Sequence, residues 1–108
     1  MLLAAALSLS VSLAAPGDRL PYPAPRIAPA SDRLKCDYAT ILTVSAEKGL
    51  LQATTPAGVV TYKAGMDAQV FDKLGKPAGA ATRLTPGDKV RIYYLVEDGA
   101  RALEIDQE

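Results

Sequence analysis

Residues 85–105 constrain the fold more than any other part of the chain. Thr85-Pro86-Gly87-Asp88 is a turn in which proline pre-sets one central position and glycine supplies the other. The residues that follow alternate, with Val90, Ile92, Tyr94 and Val96 set against Lys89, Arg91, Tyr93 and Leu95. A period of two marks a strand with one face buried and the other turned outward. By this register Tyr94 belongs to the core, while Tyr93 lies on the outward face beside Arg91 and Leu95. Asp98-Gly99 suits a tight hairpin turn, and residues 102–105 return with Leu103 and Ile105 on one face.

From Cys36 onward the rest of the chain reads the same way, as short apolar and β-branched runs with turn signals between them. Residues 38–46 carry Ile41, Leu42 and Val44, and Lys48-Gly49 closes the run. Residues 50–55 follow, then a turn at Pro56-Ala57-Gly58, then 59–64 with Val60 and Tyr62 on one face. Residues 68–72 hold Val70 and Phe71, and Leu74-Gly75-Lys76-Pro77 turns the chain. Residues 78–84 are weakly patterned, with room for a single helical turn. No long window has helical periodicity. The spacing predicts an all-β domain over 37–108, a five- to six-stranded OB-like or SH3-like barrel. A domain of about 70 residues buries only about 60% of its unfolded surface, so a ligand is expected on a face or between loops.

The segment before it has a different character. Residues 2–13 are apolar and uncharged, too short to span a bilayer but suited to the apolar part of a secretory signal. Ser12 and Ala14 stand where small residues precede a cleavage site, so residues 1–14 read as a signal peptide, although no Lys or Arg precedes the run. Cys36 lies too far beyond the run to be a lipid anchor. Pro16, Pro21, Pro23, Pro25 and Pro29 make residues 15–36 an extended spacer with little apolar content. The expectation is a periplasmic or secreted protein with no membrane span in its mature chain.

The order Ala39-Thr40-Ile41, Lys48-Gly49-Leu50, Gly58-Val59-Val60-Thr61-Tyr62, Asp72-Lys73-Leu74-Gly75, Leu84-Thr85-Pro86-Gly87-Asp88-Lys89-Val90 and Asp98-Gly99-Ala100-Arg101-Ala102-Leu103-Glu104-Ile105 covers nearly all of 37–106. It resembles a group of small exported bacterial β-barrel domains, OB-like in layout and of uncharacterised function. The resemblance implies fold and compartment. The layout is also similar to periplasmic copper-binding barrels, which use a His, two Met and a Trp. This chain has no His and no Trp, and Met66 is its only Met after the first residue, so metal binding does not carry over.

Net charge is zero, and Lys63, Lys73, Lys76, Arg83, Lys89, Arg91 and Arg101 alternate with acids, which argues against nucleic-acid binding. Without His, and with no predicted nucleophile–base pair or fixed pair of carboxylates, the chain is read as no enzyme, with no cofactor and no metal. Three residues are candidates for binding: Tyr93 and Arg91 as an outward partner surface, and Cys36 as a lone thiol beside Lys35 and Asp37. Asp88 is assigned to capping its turn, and Asp67 and Asp72 to solvated loops. The expected function is an accessory module of the cell envelope that binds an unknown envelope protein, peptide or glycan. The alternative is a thiol- or metal-handling protein using Cys36 with Met66.

Overall fold

A computed structural model of the chain describes residues 22–29, 31–65 and 68–108. The signal-peptide reading, the first part of the spacer, and Met66 and Asp67 lie outside the described residues. Seven strands run through the described part: β1 (Lys35–Ser45), β2 (Leu50–Thr55), β3 (Gly58–Lys63), β4 (Gln69–Phe71), β5 (Pro77–Ala80), β6 (Lys89–Val96) and β7 (Ala100–Gln107). One turn of 3-10 helix, Ala81–Arg83, occupies the weakly patterned stretch.

The strands form one sheet in the order β3-β2-β1-β6-β7-β4-β5. It closes because β3 also pairs with β7 in parallel, through Tyr62 opposite Ala100 and Lys63 opposite Arg101. Five strands therefore make a closed barrel, and β4 and β5 are additions. The free edge of β7 is divided between two neighbours: β3 takes its first residues, and β4 takes Glu104, Ile105 and Asp106. Closure leaves the short added β5 as the outer edge of the sheet.

Turn chemistry holds the register. Asp88 Oδ2 accepts the Thr85 amide at 2.9 Å, as its capping role requires. The same turn is tied to β1, with Gly87 N–H donating to Ile41 O at 2.8 Å and Ile41 N–H donating to Asp88 O at 2.9 Å. Gly87 has φ +96° there, a conformation that L side chains rarely adopt. At the last hairpin Val96 stands opposite Ala100, so Glu97, Asp98 and Gly99 form the loop, and Asp98 and Gly99 take positive φ of 52° and 101° there.

The interior is filled by Ile41, Leu51, Tyr62, Val70, Val90, Ile92 and Ile105, with Ala39, Ala53, Ala64, Ala68, Ala81 and Ala102 between them. Alternating large and small residues fit a narrow barrel. Tyr94 packs against this core as the register predicts, its ring edge-on to Tyr62 at 5.4 Å. Both phenols donate to Asp37, from Tyr62 at 2.5 Å and from Tyr94 at 3.2 Å.

Two bulges interrupt the period within the five-stranded barrel, besides a register shift between Val70 and Phe71 on the added β4–β5 pair. One lies between Ile41 and Thr43 on β1. The other lets Tyr93 face Glu104 while Tyr94 faces Ala102, leaving Leu103 as the extra residue on β7. The expectation that Leu103 and Ile105 share a face is therefore corrected. Ile105 enters the barrel core, and Leu103 packs in a second cluster outside it.

Candidate functional site

The bulge at Leu103 returns Glu104 and Asp106 to the outer face of β7, opposite Tyr93 and Arg91 of β6. Cys36 of β1 stands opposite Tyr93 on the other side. The structure thus brings Cys36, which had no face assigned from the sequence, beside Tyr93 and Arg91 on the face their register assigned. It reverses the exposure expected of Tyr93, which is 0% exposed.

What covers Tyr93 is the proline-rich segment. Tyr22, Ala28 and Leu34 form a cluster with Tyr93, Cys36, Leu95 and Leu103, and the Tyr22 ring meets Tyr93 edge-on at 5.7 Å. Tyr22 O–H donates to Leu34 O at 2.5 Å, and Tyr93 O–H donates to Pro23 O at 2.7 Å. Three consecutive backbone amides, of Arg26, Ile27 and Ala28, donate to the Glu104 carboxylate at 2.7, 2.7 and 2.9 Å. The described part of the expected spacer is therefore a strap docked on the barrel. The physical reason is local. Proline has no N–H, and Arg26-Ile27-Ala28 is the one run of three adjacent amide-bearing residues between Pro21 and Pro29. That run is the part Glu104 holds.

Two fully buried acids share this face. Burial works to raise Glu104, but the three amides and a hydrogen bond from Asp106 bring it below its ordinary value. Asp106 is pushed up to about 6, first by burial and then by its hydrogen bond to Glu104 and the charge there, with Arg91 and Arg26 opposing. A hydrogen bond between two carboxyl groups requires one of them to hold a proton, and these opposite directions place it on Asp106. Asp106 Oδ2 lies 3.4 Å from Arg91 Nη2 and 3.9 Å from Arg26 Nε. Its Oδ1 is buried and has no N–H or hydroxyl donor among the described residues.

Arg91 is fully engaged here. It donates through Nε to Tyr93 Oη at 3.2 Å, and it pairs with Asp106 and with Glu108. Burial pushes the Cys36 thiol up to about 11, with the Arg91 charge only partly opposing. At neutral pH it is a thiol packed against the strap cluster, and the thiolate is the nucleophilic form. Met66, its suggested companion, lies outside the described residues. Asp72 is held below the ordinary carboxylate range by backbone amides, which it accepts from Leu74 at 2.8 Å and Lys76 at 2.9 Å. No group of three or more His, Cys, Asp or Glu suited to a metal ion occurs among the described residues.

Sequence reasoning missed Glu104 and Asp106. An i, i+2 pair of acids on a strand is the available signal, since alternate residues share a face. What hid it was the cover: two acids on an outward face read as solvated, and only the docked strap buries them.

Open concave surface lies elsewhere: besides a hollow of about 380 Å³ beside Lys48, Ala64 and Ala81, two adjoining grooves lie at one end of the barrel. A groove of about 340 Å³ is bounded by Tyr38, Thr40, Thr54, Pro56, Lys89 and Glu108 among others. It adjoins a second of about 560 Å³ whose lining includes Asp72, Leu74 and Asp88 and which shares Lys89 and Glu108. Tyr38 is 48% exposed at the rim. Across the outer face of β1–β3, Thr43 donates to Gln52 and Gln52 donates to Thr61, an exposed polar row.

No helix among the described residues is long and apolar enough to cross a membrane. Compared with protein-family models, curated proteins and solved structures, the chain has no significant match.

Proposed function

We propose that this chain is an exported, non-catalytic binding module of the cell envelope, OB-like in layout, which takes a glycan or peptide in the groove at the barrel end. The observation that carries the reading is the division of labour between its two polar surfaces. Cys36, Tyr93, Glu104 and Asp106 are committed to the strap, whereas Tyr38, Thr40, Thr54 and Lys89 line open concave surface. An exposed tyrosine ring beside hydroxyls and a single cation is chemistry for stacking on a sugar or a peptide plane while hydrogen-bonding its polar edge. OB-type barrels hold oligosaccharides and oligonucleotides on their outer faces. The balanced charge favours the uncharged kind of ligand. Export is supported by the apolar run at 2–13 and the small residues after it.

The experiment is a chemical-shift titration of the labelled protein with soluble cell-wall glycan fragments and, separately, with an unrelated extended peptide. Shifts confined to residues around Tyr38, Thr54 and Lys89, lost in Tyr38→Ala, support the reading. Shifts centred on Tyr93, or none with either probe, overturn it.

A further inference from the structure

The strap is held down mainly by polar contacts. Ile27 is 50% exposed, Pro23, Ala24 and Arg26 are exposed, and apolar cover comes chiefly from Tyr22 and Ala28. Its grip consists of three amides on Glu104, one carbonyl on the Tyr93 hydroxyl, and Arg26 beside Asp106. Such a grip depends on the charge state of the acids beneath it.

The groups around those acids can be counted element by element. The strap brings Arg26 as its cation, and the Tyr22 phenol is neutral. β6 brings Arg91 and the neutral Tyr93 phenol. β1 brings the neutral Cys36 thiol, with Asp37 further along the strand. β7 itself adds Glu108, which shares Arg91 with Asp106. β4, alongside, is Gln69-Val70-Phe71 and adds no charge. Two arginines therefore face three carboxyl groups. Two of these are fully buried, and one of their oxygens, Asp106 Oδ1, has no N–H donor. One proton on the buried pair balances the cluster. With it, Asp106 donates to Glu104 and the Glu104 charge is left for the three amides. Without it, two buried like charges adjoin and the hydrogen bond between them is gone.

We propose that residues 22–28 are a proton-operated latch: one proton held between Glu104 and Asp106 keeps the segment seated on the barrel. Loss of that proton to solvent near neutral pH loosens the segment and uncovers Tyr93 and the outer face of β6. This holds whatever partner the barrel-end groove takes.

The sign follows from linkage. Asp106 is raised from 3.8 to about 6, so its stabilising contribution is complete below its ordinary value and is lost as pH rises through about 6. Glu104 is lowered from 4.5, so its contribution is present above that value and is lost as pH falls. The strap is held best between these limits, in mildly acidic solution. A rise of about two pH units on one group limits the change in the opening equilibrium to about a hundredfold.

The test is backbone amide exchange of Arg26, Ile27 and Ala28 in the full chain at pH 5.5 and 7.5, corrected for the intrinsic rate. The opening equilibrium is expected to rise about fourfold at the higher pH, which is what a shift from 3.8 to about 6 allows between these two values. Asp106→Asn can still donate to Glu104 but cannot ionise, so it is expected to keep these amides protected at both values. Equal opening at both pH values in the native chain, or an unchanged pH dependence in Asp106→Asn, overturns the latch. Should that variant fail to fold, carboxyl carbon titration of the native chain decides. A titration near 6 that the three amide signals follow supports the latch, and amide signals that ignore it overturn the proposal.

Discussion

The barrel interior and the strap-covered face are both closed to water, but by different means. Inside, Ile41, Leu51, Ile92 and Ile105 exclude water with apolar side chains, and the main requirement is volume. Outside, Glu104 and Asp106 are buried as completely, at 0% and 1% exposure, and the requirement is a partner for each polar atom. The interior therefore responds to a change in size, and the outer face to a change in protonation or hydrogen bonding. The first kind of burial is cooperative with the whole sheet. The second can open by itself, because a released strap returns its amides to water while the barrel stays closed.

That comparison is broken most severely by Leu51→Ala. Leu51 is fully buried between β1 and β3, and truncation removes transfer energy and leaves a cavity. The expected loss is about 2–5 kcal/mol of global stability, read as a lower urea midpoint with the barrel amides losing protection together. Glu104→Ala comes next. It strands three amides, but its cost is capped at the docking energy of the strap, about 2 kcal/mol, because the released amides regain water. Exchange at Arg26–Ala28 is expected to become fast while amides of Leu51 and Ile92 stay protected. Should those core amides lose protection equally, the two regions are one cooperative unit and the contrast fails. Tyr93→Phe is smaller, about 1 kcal/mol, since it removes one hydrogen bond to Pro23 O and keeps the ring. Its effect should again appear in strap exchange and not in the urea midpoint of the barrel.

The interior was legible in the sequence, and the outer face was only half so. Val90, Ile92 and Tyr94 could be placed because period two survives along that side of β6, and the turns at Thr85–Asp88 and Asp98-Gly99 carry their own chemistry. In the sequence Tyr93 and Arg91 read as turned away from the core, and Cys36 has no assigned face. Their cover was illegible because the strap binds through backbone amides and a carbonyl, which leave no hydrophobic pattern to read. Glu104 and Asp106 stood opposite the Ile105 face in the sequence as in the fold, but two acids on an outward face read as solvated, and only the docked strap buries them. The run of three amides between prolines was visible, but it had meaning only once a buried carboxylate stood opposite it.

Tyr38 sharpens the contrast from the opposite direction. Its neighbour Ala39 faces the core, and Tyr38 itself stands at the rim of the open groove, 48% exposed, with no hydrogen bond assigned to its hydroxyl among the described residues. A residue that supports neither kind of burial should be dispensable for both. Tyr38→Ala is expected to change stability by no more than about 0.5 kcal/mol, with the Arg26–Ala28 amides as well protected as in the native chain. It should lose the glycan or peptide response if the groove is the binding surface. A urea midpoint lowered as far as in Leu51→Ala would make Tyr38 part of the packing that holds β1 to β6. The groove would then be a by-product of the fold, and the binding surface would have to be sought on the face that the strap uncovers.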